Sequence, residues 1–358
     1  MTEYGGSMMS TMRRMVPLIV SSCLALAPCI ARAHHAAAAI YDRSRVTEVE
    51  GDITSVYWRN PHVLFTMRIS GVDGAVWKVE SNSVSVLSRM NVSSDTVEVG
   101  DTVRIAGWPA RRDETRLFVS NLLLPDGREL LLIPGVEPRW STETLGDSSR
   151  WIRNGVVPDE ADATSTGIFR VWTEDMTSPP LFRDVATLET EWPLTAAAAA
   201  ARARWDPVAD SPYLGCTTMG MPRLMGQPYP MEFIDQGDHI LLRIELYDAV
   251  RTIHLTDALP ADAQPRTPLG YSTGRWEGSA LVVHTTGIDW PLFDQSGIPQ
   301  SDAMDVVERF SVSEDESRLY YVLTVTDRAT FTEPVTLSKF WVWRPDEEVQ
   351  PFECESPP

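Results

Sequence analysis

From Val46 onward, apolar and polar residues alternate in short runs broken by Gly, Asp and Asn, the period-two signature of half-buried strands. The runs Val46–Trp58, His62–Ile69, Ala75–Glu80, Thr102–Trp108, Leu117–Leu124 and Glu129–Ile133 predict strands, with Ser83–Met90 as a short helix among them. Asp73-Gly74 and Asp126-Gly127 stand between consecutive runs, where a tight hairpin needs residues that tolerate positive φ. Five or six strands with one helix in so short a stretch predict a small Greek-key barrel of the OB type.

Residues 134–166 are rich in Pro, Ser, Asp and Glu and show little periodicity, so they read as a linker between two domains, 34–133 and 167–358. In the second domain Leu194–Trp205 is Ala-rich and bounded by Pro193 and Asp206-Pro207, which predicts one isolated helix. The remaining runs are strands: Met231–Asp235, His239–Tyr247, Val250–Thr256, Gly270–Glu277, Ala280–Thr286, Val306–Val312, Arg318–Thr326 and Val335–Arg344. In the second of these, Ile240, Leu242, Ile244 and Leu246 share one face and His239, Arg243 and Glu245 the other. Eight such strands in up-and-down order predict a lipocalin-like antiparallel barrel or curved sheet around a cavity. The fold class is therefore all-β.

Composition narrows the function. With 31 Lys plus Arg against 50 Asp plus Glu, the net charge of −19 argues against a nucleic-acid partner, because phosphate binding needs clustered cations. Arg13-Arg14, the apolar Met15–Ile30 and Ala31-Arg32-Ala33 follow the order of a secretory signal peptide, residues 1–33, with the mature chain starting at His34. An uncleaved anchor would need a longer apolar run without Pro17 and Pro28, and Val20-Ser21-Ser22-Cys23 is only a weak lipoprotein box. Periplasmic or secreted location follows, with no membrane insertion after cleavage. Loss of Glu3, Arg13, Arg14 and Arg32 takes the charge from −19 to −21 and leaves Cys216 and Cys354 as the only cysteines, the pair expected to form a disulfide in an oxidising compartment.

Three sets of residues could carry chemistry. An N-terminal His34 offers an amine and a ring nitrogen, and His35 and His62 add imidazoles; such a nitrogen set favours Cu(II) in the affinity order, against the plain alternative of a frayed terminus and a turn histidine. Cys216, Met219, Met221, Met225 and Met231 could hold Cu(I) through sulfur, but a disulfide cysteine followed by gap-filling methionines accounts for them better. In the second domain, Glu308 alternates in phase with Val306 and Phe310, and a carboxylate on an apolar face is a ligand anchor or a general acid/base unless an Arg pairs with it. His254 and His284 are its candidate catalytic partners, and Trp276, Arg309 and Trp341 are nearby in strand order, Trp276 and Arg309 with Glu308 as candidate ligand-binding residues. H-E-x-x-H, a Walker loop, a Rossmann fingerprint and a haem C-x-x-C-H are all missing.

His34-His35, Tyr41-Asp42, Trp58-Arg59-Asn60-Pro61-His62, residues 99–107 and Leu124-Pro125-Asp126-Gly127-Arg128 together resemble an uncharacterised family of exported proteobacterial proteins, over residues 34 to 133. Gly220-Met221-Pro222-Arg223, residues 228–232, Gly274-Arg275-Trp276-Glu277-Gly278 and Val306-Val307-Glu308-Arg309-Phe310 are similar to a second uncharacterised exported module, which often has His where this chain has Gln300. The resemblances imply export and two modules, and name no reaction. The leading expectation is binding: copper at the mature N-terminus and a small apolar or amphipathic ligand in the second domain. The alternatives are a hydrolase or isomerase using Glu308 with His254 or His284, and an envelope interaction module with a fully packed barrel.

Overall fold

The computed structural model describes residues 40–71, 74–149, 167–182, 192–207, 209–212, 216–256 and 259–355. The leader, His34, His35, Asp73 and residues 150–166 of the expected linker lie outside the described residues. No helix among those described is long and apolar enough to cross a membrane.

Two closed β-barrels account for the alternation. The first uses β1 (Thr47–Tyr57), β2 (Leu64–Ile69), β3 (Val76–Glu80), β4 (Thr102–Pro109), β5 (Arg116–Leu123), β6 (Glu129–Leu131) and β7 (Thr144–Leu145), in the sheet order β3-β2-β1-β4-β5-β6-β7. A parallel pairing of β3 with β5, Lys78 opposite Arg116 and Glu80 opposite Phe118, closes the ring. Closure requires strands to bend, and register shifts at Ile53/Ser55 in β1 and Ala106/Gly107 in β4 supply the bends. Gly107 is needed there because a Cβ would come within 2.1 Å of the Phe118 carbonyl oxygen. Inside lie Ile53, Phe65, Met67, Val79, Ile105, Leu117, Val119 and Leu122. Helix α1 (Val84–Arg89) adds Val86 and Leu87 to this core, and its first turn is capped by the Ser83 hydroxyl, which accepts from the Val86 amide at 3.2 Å.

Part of the expected linker belongs to this barrel. β7 pairs with β6, and the buried Glu129 carboxylate accepts the amides of Arg139 at 2.8 Å, Trp140 at 2.7 Å and Ser141 at 2.9 Å. Burial alone would push Glu129 up; these amides and the Asn121 side chain outweigh it and hold its carboxyl below the usual range. A wrap held by one carboxylate leaves no periodic trace, which is why the stretch reads as a linker.

The second barrel has nine strands rather than eight: β8 (Val171–Thr173), β9 (Met231–Asp235), β10 (His239–Ile244), β11 (Ala249–His254), β12 (Tyr271–Glu277), β13 (Ala280–Thr286), β14 (Asp305–Val312), β15 (Arg318–Thr326) and β16 (Val335–Trp343). The strand unread in the sequence, β8, sits between β16 and β9 and closes the barrel, yet has too few residues for alternation to register. Neighbours run antiparallel except β11 and β12. Alternation decides the faces: in β15, Leu319, Tyr321, Leu323 and Val325 are buried while Tyr320 and Val322 are exposed. Trp172, Phe233, Phe310, Tyr321 and Trp341 are fully buried among the interior side chains. Helix α2 (Ala196–Arg204), expected between Pro193 and Asp206, is capped by Thr195.

The barrels meet through specific polar contacts. Arg89 of α1 donates to both oxygens of the buried Glu245, at 2.6 and 2.7 Å, and to Glu347 at 2.6 Å. The Tyr229 hydroxyl lies 3.0 Å from the Ser83 Oγ, and Asn60 Nδ2 donates to the Phe352 carbonyl. The expected disulfide is present: Cys216 is bonded to Cys354, 138 positions away, and fixes the C-terminal segment where it runs past Asn60.

Candidate functional site

The segment joining β1 to β2 carries His62, and the β3–β5 pairing brings Glu80 and Arg116 beside it. Tyr41 arrives from the N-terminal side, bridging to Ala110 and packing with Ile40 on Phe118. The Tyr41 hydroxyl donates to Glu80 Oε2 at 2.6 Å, and the Arg116 guanidinium stands 3.5 Å from the same oxygen. Burial, reinforced by the Glu80 charge, pushes the Tyr41 phenol far up, so it acts as a proton-holding donor. Glu80 Oε1, buried, accepts no hydrogen bond and lies 3.6 Å from His62 Nδ1. A buried carboxylate oxygen without a partner is costly, and marks the place where the barrel's polar accounting does not close.

His62 itself is oriented. Its Nδ1 is 2.8 Å from the Ser81 carbonyl oxygen, which can only accept, so Nδ1 carries the proton and Nε2 is the lone-pair nitrogen of the neutral ring. Edge-on contact with Phe118, centroids 6.2 Å apart, fixes the ring plane. Of the three candidate copper ligands, only His62 is among the described residues; His34 and His35 lie outside them. Among the described residues, no group of three or more His, Cys, Asp and Glu side chains is arranged to hold a metal ion.

In the second barrel Glu308 does share the inner face with Val306 and Phe310, all three fully buried. It is held there by Arg251, whose Nη1 and Nη2 donate to its two oxygens at 3.1 and 2.6 Å. The Tyr321 hydroxyl adds a hydrogen bond to Oε1 at 2.8 Å and the Thr285 hydroxyl a long one to Oε2 at 3.4 Å. Arg251 Nη2 further donates to Ser272 and Thr285, each at 3.1 Å. Both carboxylate oxygens are spoken for, so the plain account of an Arg-paired carboxylate holds.

The expected partners of Glu308 are on other faces. Ile253 and Val283 point inward, and alternation turns His254 and His284 to the outer surface. His254 stacks on Tyr271 at 4.7 Å, and His284 Nε2 pairs with Asp305. The expected ligand trio is likewise divided. Trp276 lies opposite Leu281 and faces inward, half-exposed against Phe169, while Arg309 points outward to Glu277 at 2.8 Å. Trp341 is buried beneath the Lys339 ammonium, 4.7 Å from its ring centroid. Met219, Met221, Met225 and Met231 are core residues, as gap-filling methionines should be.

Sequence reading missed Tyr41, Glu80, Arg251 and Tyr321. Arg251 was legible by the same signal as Glu308, a charged residue in phase with apolar Ala249 and Ile253, but no sequence signal pairs two strands. Glu80 carried no signal at all, since it ends an alternating strand and meets Tyr41 only in the closed barrel. Among curated proteins nothing matches this chain. The model of a family of unknown function (DUF6152) matches residues 22–118, a stretch that includes Tyr41, His62, Glu80 and Arg116, and marks this end of the chain as an uncharacterised domain.

Proposed function

We propose that the protein is an exported, periplasmic or secreted, binding protein whose first barrel binds Cu(II) through His62 with His34 and His35 of the processed N-terminus. The observation that carries this reading is the His62 Nδ1–Ser81 hydrogen bond at 2.8 Å, the kind of outer contact that orients a metal-ligating imidazole. Reach supports it: His35 is five residues from Ile40, and an extended chain covers about 3.3–3.6 Å per residue. Ile40 and Tyr41 pack on Phe118, the ring that also touches His62. The family match spans all three histidines. The Cys216–Cys354 bond and the leader-like N-terminus support export.

We read the first barrel as OB-like, because its ring runs β1-β2-β3-β5-β4 with α1 between β3 and β4. In such barrels the β1–β2 and β4–β5 loops line the ligand. His62 is in the former, and Ala110, the bridge partner of Tyr41, opens the latter. We read the second barrel as lipocalin-like because every neighbouring pair of strands but β11 and β12 runs antiparallel, and the half-exposed inward Trp276 is what supports a small apolar or amphipathic ligand at one end. The separation of Glu308 from His254 and His284 favours binding over the hydrolase or isomerase alternative.

The test is to export the chain with its own leader, determine the N-terminal mass, and titrate the mature protein with Cu(II). A start at His34, with affinity reduced at least about tenfold in both His34→Ala and His62→Ala, is the expected result. A different start, or affinity indifferent to both substitutions, overturns the proposal.

A further inference from the structure

Three of the six histidines of the chain are not scattered but lie on one row across the second barrel. His239 of β10 is opposite His254 of β11, His254 is beside Thr273 of β12, and Thr273 is opposite His284 of β13. Their neighbours Ile240, Ile253 and Val283 fill the interior, so all three imidazoles are on the outer surface.

Within that row one pair is closer than the rest. The Leu255 amide donates to the Asp238 carbonyl at 3.0 Å, which makes Asp238 and Leu255 a hydrogen-bonded pair of the ladder. Pairs alternate along an antiparallel ladder, so the next one, His239 with His254, is non-hydrogen-bonded. That is the arrangement in which opposite side chains approach most closely, with Cα atoms roughly 4.5 Å apart. His284 is two strands from His254, about 10 Å, and its Nε2 is paired with Asp305.

The His239 ring is also pre-set. Its Nδ1 lies 2.6 Å from Asp238 Oδ1, so Nδ1 donates to the carboxylate and Nε2 is the lone-pair nitrogen, the arrangement of a carboxylate-oriented metal ligand. The His254 ring is held by its stack on Tyr271, interplanar angle 18°. From this we infer that His239 and His254 form a second, surface metal site, a two-imidazole chelate for a divalent transition-metal ion, with water completing the coordination. Imidazole donors and the affinity order select Cu(II) as the ion bound most tightly. The site shares no residue with His62 and stands or falls independently of the reading proposed for the first barrel.

The probe is Cu(II) alone, added to the mature full chain and followed by calorimetry and by paramagnetic broadening of the histidine side-chain resonances. His239 and His254 should broaden together at the same copper concentration. His239→Ala and His254→Ala should each lower the affinity of this site at least about tenfold, while His284→Ala leaves it unchanged. Unaltered thermal melting of each variant separates ligand loss from unfolding. Copper that broadens only His34, His35 and His62, or binding unaffected by His239→Ala and His254→Ala, overturns the inference. Loss of the His62 site with retention of the His239–His254 site refutes the first proposal and leaves this one standing.

Discussion

Each barrel buries a carboxylate beside an arginine and a tyrosine, and the two are not equivalent. Glu308 accepts from Arg251 on both oxygens and from Tyr321, fully buried inside its barrel. Glu80 takes Tyr41 and Arg116 on one oxygen and leaves the other without a donor, next to an oriented histidine and the point where the N-terminal segment enters. Burial of a charge therefore does not by itself mark a functional site. What distinguishes the two is whether the surrounding protein completes the hydrogen bonding.

The contrast can be broken most forcefully at the saturated end. Arg251→Ala or Glu308→Ala strands a buried charge and should cost about 3–5 kcal/mol, read as a lowered urea midpoint. A double change to Arg251→Met with Glu308→Leu should restore most of that loss, since the pair is structural. Comparable damage from single and double variants would mean that the network has another role.

The wrap of the first barrel gives a smaller effect with a defined pH dependence. Glu129→Gln removes the charge that three amides hold, with an expected loss of about 1–3 kcal/mol at neutral pH. Because the folded carboxyl is held below its ordinary value, its contribution is present above the unfolded value of about 4.3 and is lost as the pH falls toward the folded one. The difference between wild type and variant in thermal melts should shrink on acidification through that window. A difference constant with pH would contradict the ionised-carboxylate account.

The smallest expected effect is the most telling for the comparison. Glu80→Gln keeps an acceptor for Tyr41 and gives up the 3.5 Å ion pair with Arg116, which carries no hydrogen bond to the carboxylate, so its stability cost should be about 1 kcal/mol. A loss as large as that from Glu308→Ala would show Glu80 to be as fully committed to the fold as its counterpart.

Much of this fold was legible because its strands are amphipathic. The limits of β9 to β16 fall within a few residues of the expected runs, since alternation is itself the imprint of an inside and an outside. What escaped was held by other forces: β8 is three residues long, and residues 134–149 are fixed to the barrel through Glu129 and a two-residue strand. For the sites, alternation placed Glu308 correctly, and the same parity applied to Ile253 and Val283 would have turned His254 and His284 outward. The pairings were beyond reach because Glu308 and Arg251, or Tyr41 and Glu80, are distant in sequence and meet only through closure. The His239–His254 pair likewise depends on register, which no single strand encodes.

The most direct test of the central claim sets one barrel against the other in a single assay: Cu(II) affinity of the mature chain carrying His62→Ala or Glu308→Gln. The account predicts at least about a tenfold loss for His62→Ala and an unchanged titration for Glu308→Gln. Loss in Glu308→Gln with none in His62→Ala would contradict it and move the binding site into the second barrel.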